Sequence, residues 1–336
     1  MTRRRTVLAA LVLAAGVAGC GEVTNTITPN PGTVNNITLE LDYFPNADHV
    51  GIYEAQALGY FKQADLNVHI VAPTNAATPL DLLAAGRVQV AISYEPDVLL
   101  ARNQNVPLVS VAAIVQQPLT SIVSLARQHI TSPADLRGKT VGDSGIPYQH
   151  AFLETILHHA GVPARTVKEV NVGEGLVPAI ISGRVNAVLG AYWNYEAIEL
   201  RQLGRRPNVI RMNQAGVPTY NELVFVVRKG TIVDHAPLIR RFVQAVARGY
   251  EAARRDPVAA VQNLVRMNPG LSYKLQLASV EATMSSFFPT DGHPWGWQSA
   301  AQWNAFGEWM TQEHLISNPL AVPDASTNEL LAGQGV

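Results

Sequence analysis

Cysteine is almost missing from this chain: its 336 residues hold one, Cys20. A single cysteine excludes an internal disulfide and any multi-cysteine metal site. An excess of one charge is missing too, with 25 Lys and Arg against 26 Asp and Glu. Such a balance offers no electrostatic footprint for nucleic acid or a polybasic membrane patch. The apolar run Val7–Ala15 has nine residues, where a membrane span needs about 20. Catalytic signatures are also lacking: there is no Walker loop, Gly-x-Ser-x-Gly elbow or His-Glu-x-x-His. Gly173-Glu174-Gly175 is not followed by a third glycine, so a dinucleotide site has no support. His158 and His159 are adjacent on a helical pattern and so point to different faces, which is a poor metal pair.

The amino terminus carries the first positive signal. Arg3, Arg4 and Arg5 precede the apolar run, and Val17-Ala18-Gly19 precede Cys20. Residues 1–19 read as a signal peptide. Small residues before one cysteine resemble the lipobox of bacterial lipoproteins, in which the cysteine is acylated and becomes the new terminus. Cys20 is therefore the expected lipidation site, and the expected location is extracytoplasmic, anchored to the cell membrane by the lipid. Cleavage would remove three arginines, leaving 22 basic against 26 acidic residues, a net charge of −4. Residues 20–36 are rich in Thr, Asn, Pro and Gly without an apolar period and read as a flexible tether. The remainder, 47% hydrophobic over the whole chain, is long enough for roughly two domains.

From Ile37 onward, β-branched runs alternate with helical patterns. Strands are expected at Ile37–Leu41, Asn67–Val71, Val88–Ser93, Leu108–Ile114, Thr140–Gly142 and Val185–Leu189. This alternation predicts an α/β fold with largely parallel sheets. One internal echo stands out. Leu82–Tyr94, "LLAAGRVQVAISY", resembles Ala179–Ala191, "AIISGRVNAVLGA", so that Gly86-Arg87-Val88 matches Gly183-Arg184-Val185. Both read as helix, glycine stop, strand and then an aromatic-acidic loop, Tyr94-Glu95-Pro96-Asp97 in one and Tyr192-Trp193-Asn194-Tyr195-Glu196 in the other. The chain reads as two lobes built on one plan.

In open α/β sheets, ligands bind beyond the carboxyl ends of strands. Four such ends are rich in aromatics and hydrogen-bonding groups: Tyr43–His49, Tyr94-Glu95, Gly142–Gly145 and Tyr192–Glu196. Asn46 and Asp48 also fit helix capping, a role that can coexist with ligand contact. Gly142-Asp143-Ser144-Gly145 superficially resembles a trypsin-like nucleophile segment. It lies between a strand and a helix, however, and reads better as a turn offering backbone N–H groups to a ligand. Trp303, Phe306, Trp309 and Met310 recur at helical spacing, the pattern of a buried stripe. "YWNYE" and "VPTYNEL" (Val217–Leu223) are not explained by core filling. Their rings can sandwich a planar heterocycle while carboxylates and amides pair with its edges.

These segments carry a resemblance. "DYFPNADHVGIYEAQALGYF", "LDLLAAGRVQVAISYEP", "QQPLTSIVSL", "LRGKTVG" and "GAYWNYEAIEL" are similar to the type II periplasmic-binding fold of ABC-transporter substrate-binding proteins. More closely, they resemble the family of pyrimidine-precursor-binding proteins of thiamine salvage and fungal hydroxymethylpyrimidine phosphate synthases. The resemblance implies two lobes, residues 37–123 with 224–336 and residues 124–223, joined by two crossover strands. It implies a ligand held by Asn46, His49, Tyr94 and Glu95 from one lobe and Ser144, Tyr148, Trp193 and Glu196 from the other, with Tyr220 and Glu222 beside the second crossing. The expected ligand is a flat heterocycle, hydroxymethylpyrimidine or formylaminopyrimidine, delivered by a monomeric receptor without a cofactor to an ABC permease and its ATPase. Relatives that bind riboflavin, or small sulfonates, nitrate or taurine, are the alternatives. A synthase is a further one, disfavoured because its cysteine-rich motif is absent here.

Overall fold

The computed structural model describes residues 35–74 and 78–334. The predicted signal peptide, Cys20 and most of the predicted tether lie outside the described residues. Among the described residues, ten strands form two five-stranded sheets. The first four are β1 (Asn35–Glu40), β2 (Leu66–Val71), β3 (Val90–Ser93) and β4 (Leu108–Val115). They are followed by β5 (Thr120–Leu125), β6 (Thr140–Asp143), β7 (Lys168–Asn171), β8 (Ala187–Tyr192) and β9 (Pro207–Arg211), and last by β10 (Leu223–Arg228). Sheet one runs β2-β1-β3-β10-β4 and sheet two β7-β6-β8-β5-β9.

The two sheets share one topology. In sheet one, β2, β1 and β3 are parallel, and β10 is antiparallel to both β3 and β4. In sheet two, β7, β6 and β8 are parallel, and β5 is antiparallel to both β8 and β9. Four strands of each sheet thus share a direction and the fourth in order is reversed. Half of the pairings are antiparallel, more than helix-strand alternation alone predicts, because each reversed strand is one that enters its sheet from the other. The chain passes from sheet one to sheet two between β4 and β5 and returns between β9 and β10.

Burial follows from this layering. Every residue of β3, β4 and β5 is buried, the signature of strands covered on both faces. The glycines of the echo, Gly86 and Gly183, both end helices at positive φ, +73° and +76°, a conformation that costs glycine little. The helix Lys229–Arg255 packs Ile239, Phe242, Val243, Val246 and Tyr250 inward along one stripe. Across it lies the helix Val50–Ala57. A Cβ at Gly51 would collide with the Tyr250 ring, and one at Gly249 would collide with the Gly51 carbonyl. That close approach, together with the 2.6 Å bond from the Tyr250 hydroxyl to the Asp48 carbonyl, holds the loop after β1 in place. At the carboxyl-terminal end, Trp303, Phe306 and Met310 are buried at the spacing their sequence predicts.

Tyr94-Glu95-Pro96-Asp97 is not a loop. A helix begins at Glu95 and runs to Asn103. Pro96 sits in its first turn, where a missing N–H costs nothing, and Glu95 and Asp97 stand at its positive end.

Candidate functional site

The carboxyl ends of β1, β3, β6 and β8 converge on one cavity. Its empty space, open solvent at the mouth included, is about 470 Å³. Sheet one supplies Asp42, Tyr43, Asn46 and Tyr94, and sheet two supplies Ser144, Tyr148, Gln149, Tyr192, Tyr195 and Glu196, with Ile146, Leu176 and Gly190 completing the wall. None of these is Lys, Arg or His.

Asp42 is held from two sides. The Asn46 backbone N–H donates to His49 Nδ1 at 3.2 Å, so the imidazole proton lies on Nε2. Nε2 then donates to Asp42 Oδ1 at 2.8 Å. The Tyr94 hydroxyl donates to Asp42 Oδ2 at 3.1 Å. The Asn46 side chain caps the following turn by accepting from the Asp48 N–H at 2.8 Å. Capping, orienting and lining therefore meet in one loop.

On the opposite wall, Glu196 opens the helix Glu196–Gln202 and accepts from the Tyr192 N–H at 2.6 Å. Burial pushes its carboxyl up to about 7, against the pull of that hydrogen bond. Tyr94 and Tyr148 meet edge to face with centroids 5.6 Å apart, and burial raises both hydroxyls well above their ordinary value. The Tyr148 hydroxyl is buried and makes no hydrogen bond among the described residues. Gly190 sits at a bulge in β8: Ser121 pairs with Ala191 and Ile122 with Leu189, which leaves Gly190 unpaired. Its φ is +100°, and a Cβ there would collide with Gln149 Nε2 and stand 3.3 Å from Ser144 Oγ.

The turn after β6 departs from its sequence reading. Its backbone donors are already engaged: Ser144 N–H donates to Gln149 Oε1 at 2.9 Å and Gly145 N–H to Asp143 Oδ1 at 2.8 Å. Asp143 and Gln149 satisfy them because the turn is short and both side chains fold back over it.

Of the ten residues singled out in the sequence, Asn46, Tyr94, Ser144, Tyr148 and Glu196 line the cavity. The other five stand behind it. His49 orients Asp42. Glu95 accepts from the backbone and side-chain nitrogens of Asn221, both at 2.7 Å. Glu222 accepts from Leu119 N–H, Thr120 N–H and Thr120 Oγ1 at 2.7, 2.8 and 2.7 Å, and from the Tyr220 hydroxyl at 3.3 Å. Trp193 donates to the Pro118 carbonyl at 3.0 Å, with Arg211 stacked on its ring at 4.1 Å. The structure adds Asp42, Tyr43, Tyr192 and Tyr195, all within segments the sequence marks. Gly190, at the start of "GAYWNYEAIEL", joins them, and Ile146, Gln149 and Leu176 are added without a sequence signal of their own.

Side chains bridge the cavity's two walls. Asn194 Nδ2 donates to Asp48 Oδ1 at 2.8 Å and Thr283 Oγ1 at 2.6 Å. Gln276 Nε2 donates to the Tyr195 hydroxyl at 2.9 Å, and the Tyr43 hydroxyl donates to the Glu174 carbonyl at 3.3 Å. Among the described residues, no cluster of three or more His, Cys, Asp or Glu is placed to hold a metal.

Comparison with known proteins fits this architecture. The chain is 33% identical over 305 residues to the formylaminopyrimidine-binding protein of Halalkalibacterium halodurans, covering 90% of this chain and 92% of that one. It is 26% identical over 322 residues to the riboflavin-binding protein RibY of Chloroflexus aurantiacus, covering 92% and 90%. The fold matches the alkanesulfonate-binding protein SsuA of Xanthomonas axonopodis pv. citri with a TM-score of 0.68 at 16% identity, over 88% of this chain and 98% of that one. Residues 46–260 match the family model described as NMT1/THI5 like. With two α/β sheets, paired crossings and a cavity at four strand ends, the chain is a member of the NMT1/THI5-like family with the periplasmic-binding-protein fold.

Proposed function

We propose that this chain is the solute-binding lipoprotein of an ABC importer, anchored outside the cytoplasm through Cys20, and that it binds a thiamine pyrimidine precursor. Hydroxymethylpyrimidine and formylaminopyrimidine are the leading candidates. The observation that carries the reading is the composition of the cavity. Five tyrosines and two carboxylates face the space, with no basic side chain on its wall. Aromatic faces suit a planar ring, and fixed carboxylates suit its amino and ring N–H donors. The same wall disfavours small anions such as sulfonates, nitrate and taurine, which call for cationic partners. The 33% identity to a formylaminopyrimidine-binding protein supports the same choice.

The ligand sits between a lobe of residues 37–123 with 224–336 and a lobe of residues 124–223. The contacts made by Asn194, Tyr195 and Tyr43 would close one lobe on the other. Asn46, Tyr94, Ser144, Tyr148 and Glu196 make direct contact, while His49, Glu95, Trp193, Tyr220 and Glu222 hold the frame. The receptor works as a monomer, needs no cofactor and hands its ligand to a permease and ATPase.

A thermal-shift and calorimetry panel on the purified chain tests this. A pyrimidine at about 100 Kd adds ~2.7 kcal/mol of stability. Stabilisation by taurine, nitrate or an alkanesulfonate alone would overturn the heterocycle reading. Riboflavin is the second reading, supported by the RibY relative; stabilisation by riboflavin alone would move the ligand and keep the receptor role. Turnover with pyridoxal phosphate would instead make the chain an enzyme.

A further inference from the structure

Among the described residues that line it, the cavity brings two acids together with no basic side chain. Asp42 comes from sheet one and Glu196 from sheet two, and both line the same space. His49 does not neutralise Asp42. Its Nδ1 accepts the Asn46 N–H at 3.2 Å, so the ring carries a single proton, on Nε2, and is uncharged. The other donor on Asp42, the Tyr94 hydroxyl, is uncharged as well. Around these two carboxylates stand further acids: Asp48 near Asp42, and Glu199 near Glu196. Tyr43 and Tyr195 fill the remaining faces. Arg211 is engaged on the Trp193 ring at 4.1 Å and does not line the cavity.

Closing the two walls therefore draws like charges together in a water-poor space, which is unfavourable unless positive charge enters with the ligand. We infer that the closed cleft takes its ligand as a cation: a weakly basic amino-heterocycle of the amidine type, protonated on a ring nitrogen in the complex. This rests on the receptor reading above and narrows its ligand class. A protonated ring N–H beside an exocyclic amino N–H presents two parallel donors, the match for a carboxylate's two oxygens. Asp42 has one lone pair on each oxygen engaged and a second on each to offer. Glu196 has one oxygen tied to the Tyr192 N–H and the other to offer. A neutral ligand binding above its own pKa takes one proton from solution, which stays on the ring nitrogen.

Calorimetry with hydroxymethylpyrimidine at pH 8, in two buffers of different ionisation enthalpy, reads the proton directly. Uptake of about one proton per ligand is expected, with affinity falling about tenfold from pH 8 to pH 9. The 4-oxo analogue, which lacks the basic amidine edge, is expected to bind on the order of 100-fold more weakly. Asp42→Asn should lose roughly 30-fold or more in affinity, its fold being checked by circular dichroism. If that variant does not fold, the wild-type proton count decides alone. Tight binding of the aminopyrimidine with no proton uptake and a flat affinity from pH 8 to pH 9 would overturn the cationic ligand and leave the receptor reading standing. Binding of riboflavin alone, a neutral ring, would do the same. Failure of every heterocycle to bind would remove both.

Discussion

The two halves of the echo end in the same residue type at the same place and use it differently. Glu95 follows β3 and Glu196 follows β8; each is buried and opens a helix. Glu95 stands nine positions after its glycine and Glu196 thirteen. The four additional positions are Tyr192-Trp193-Asn194-Tyr195, of which Asn194 and Tyr195 reach the opposite wall. Without them, Glu95 turns toward the second crossing and binds Asn221. With them, Glu196 faces the cavity. The difference teaches that a short insertion at a strand end is enough to turn a framework carboxylate into a cavity-facing one.

Four measurements break or sharpen that contrast. The largest effect belongs to a third glutamate, wholly framework. Glu222→Ala strands three donors at the first crossing and should cost about 3–5 kcal/mol in urea unfolding. Next comes Glu95. Burial pushes its carboxyl up to about 8 from an ordinary 4.5, more than its hydrogen bonds from Asn221 pull it down. The folded chain keeps a proton that the unfolded chain releases, so this stabilisation is complete below about pH 4.5 and lost as pH rises toward 8. Glu95→Gln should flatten that decline by roughly 2–3 kcal/mol between pH 5 and pH 8, measured as urea midpoints across pH, with ligand affinity unchanged. Gly190→Ala places a side chain at φ +100° against Gln149 and should cost about 2 kcal/mol while abolishing ligand-induced stabilisation in the same thermal scans. The smallest effect is Glu196→Gln. It should weaken ligand affinity about tenfold, ~1.4 kcal/mol, with little change in the unfolding midpoint. If Glu95→Gln and Glu196→Gln lowered affinity equally, the division of labour between the two glutamates would be gone.

Much of the fold was legible because alternation of helix and strand, glycine stops and the Gly-Arg-Val echo are local signals. The two crossover strands were expected only through the family resemblance, because antiparallel pairing such as that of β10 with β3 and β4 depends on residues more than a hundred positions away. The cavity was legible as segments rather than as side chains. "DYFPN" and "YWNYE" mark the right strand ends, yet nothing in the letters says whether a glutamate faces a ligand or a backbone amide. Glu222 and Glu196 look alike in sequence because buried carboxylates serve both purposes. Gln149 gave no warning and Gly190 only its place in a marked segment, since their roles come from a turn and from a bulge that exists only once β5 and β8 are paired.

The shared topology of the two sheets hides an asymmetry in assembly. Sheet two is made of β5 to β9, one uninterrupted stretch of chain. Sheet one must wait for β10, whose Leu223 pairs with Val115 across the whole of that stretch. Closing so long a loop is slow when it is floppy and easier once its contents are compact. Sheet two can therefore complete its hydrogen bonding first and act as the clasp that brings β10 home. A chain emerging amino end first would carry sheet one as an open, edge-exposed layer until its last strand arrived. The two crossings between the sheets are thus the seam at which the fold is finished.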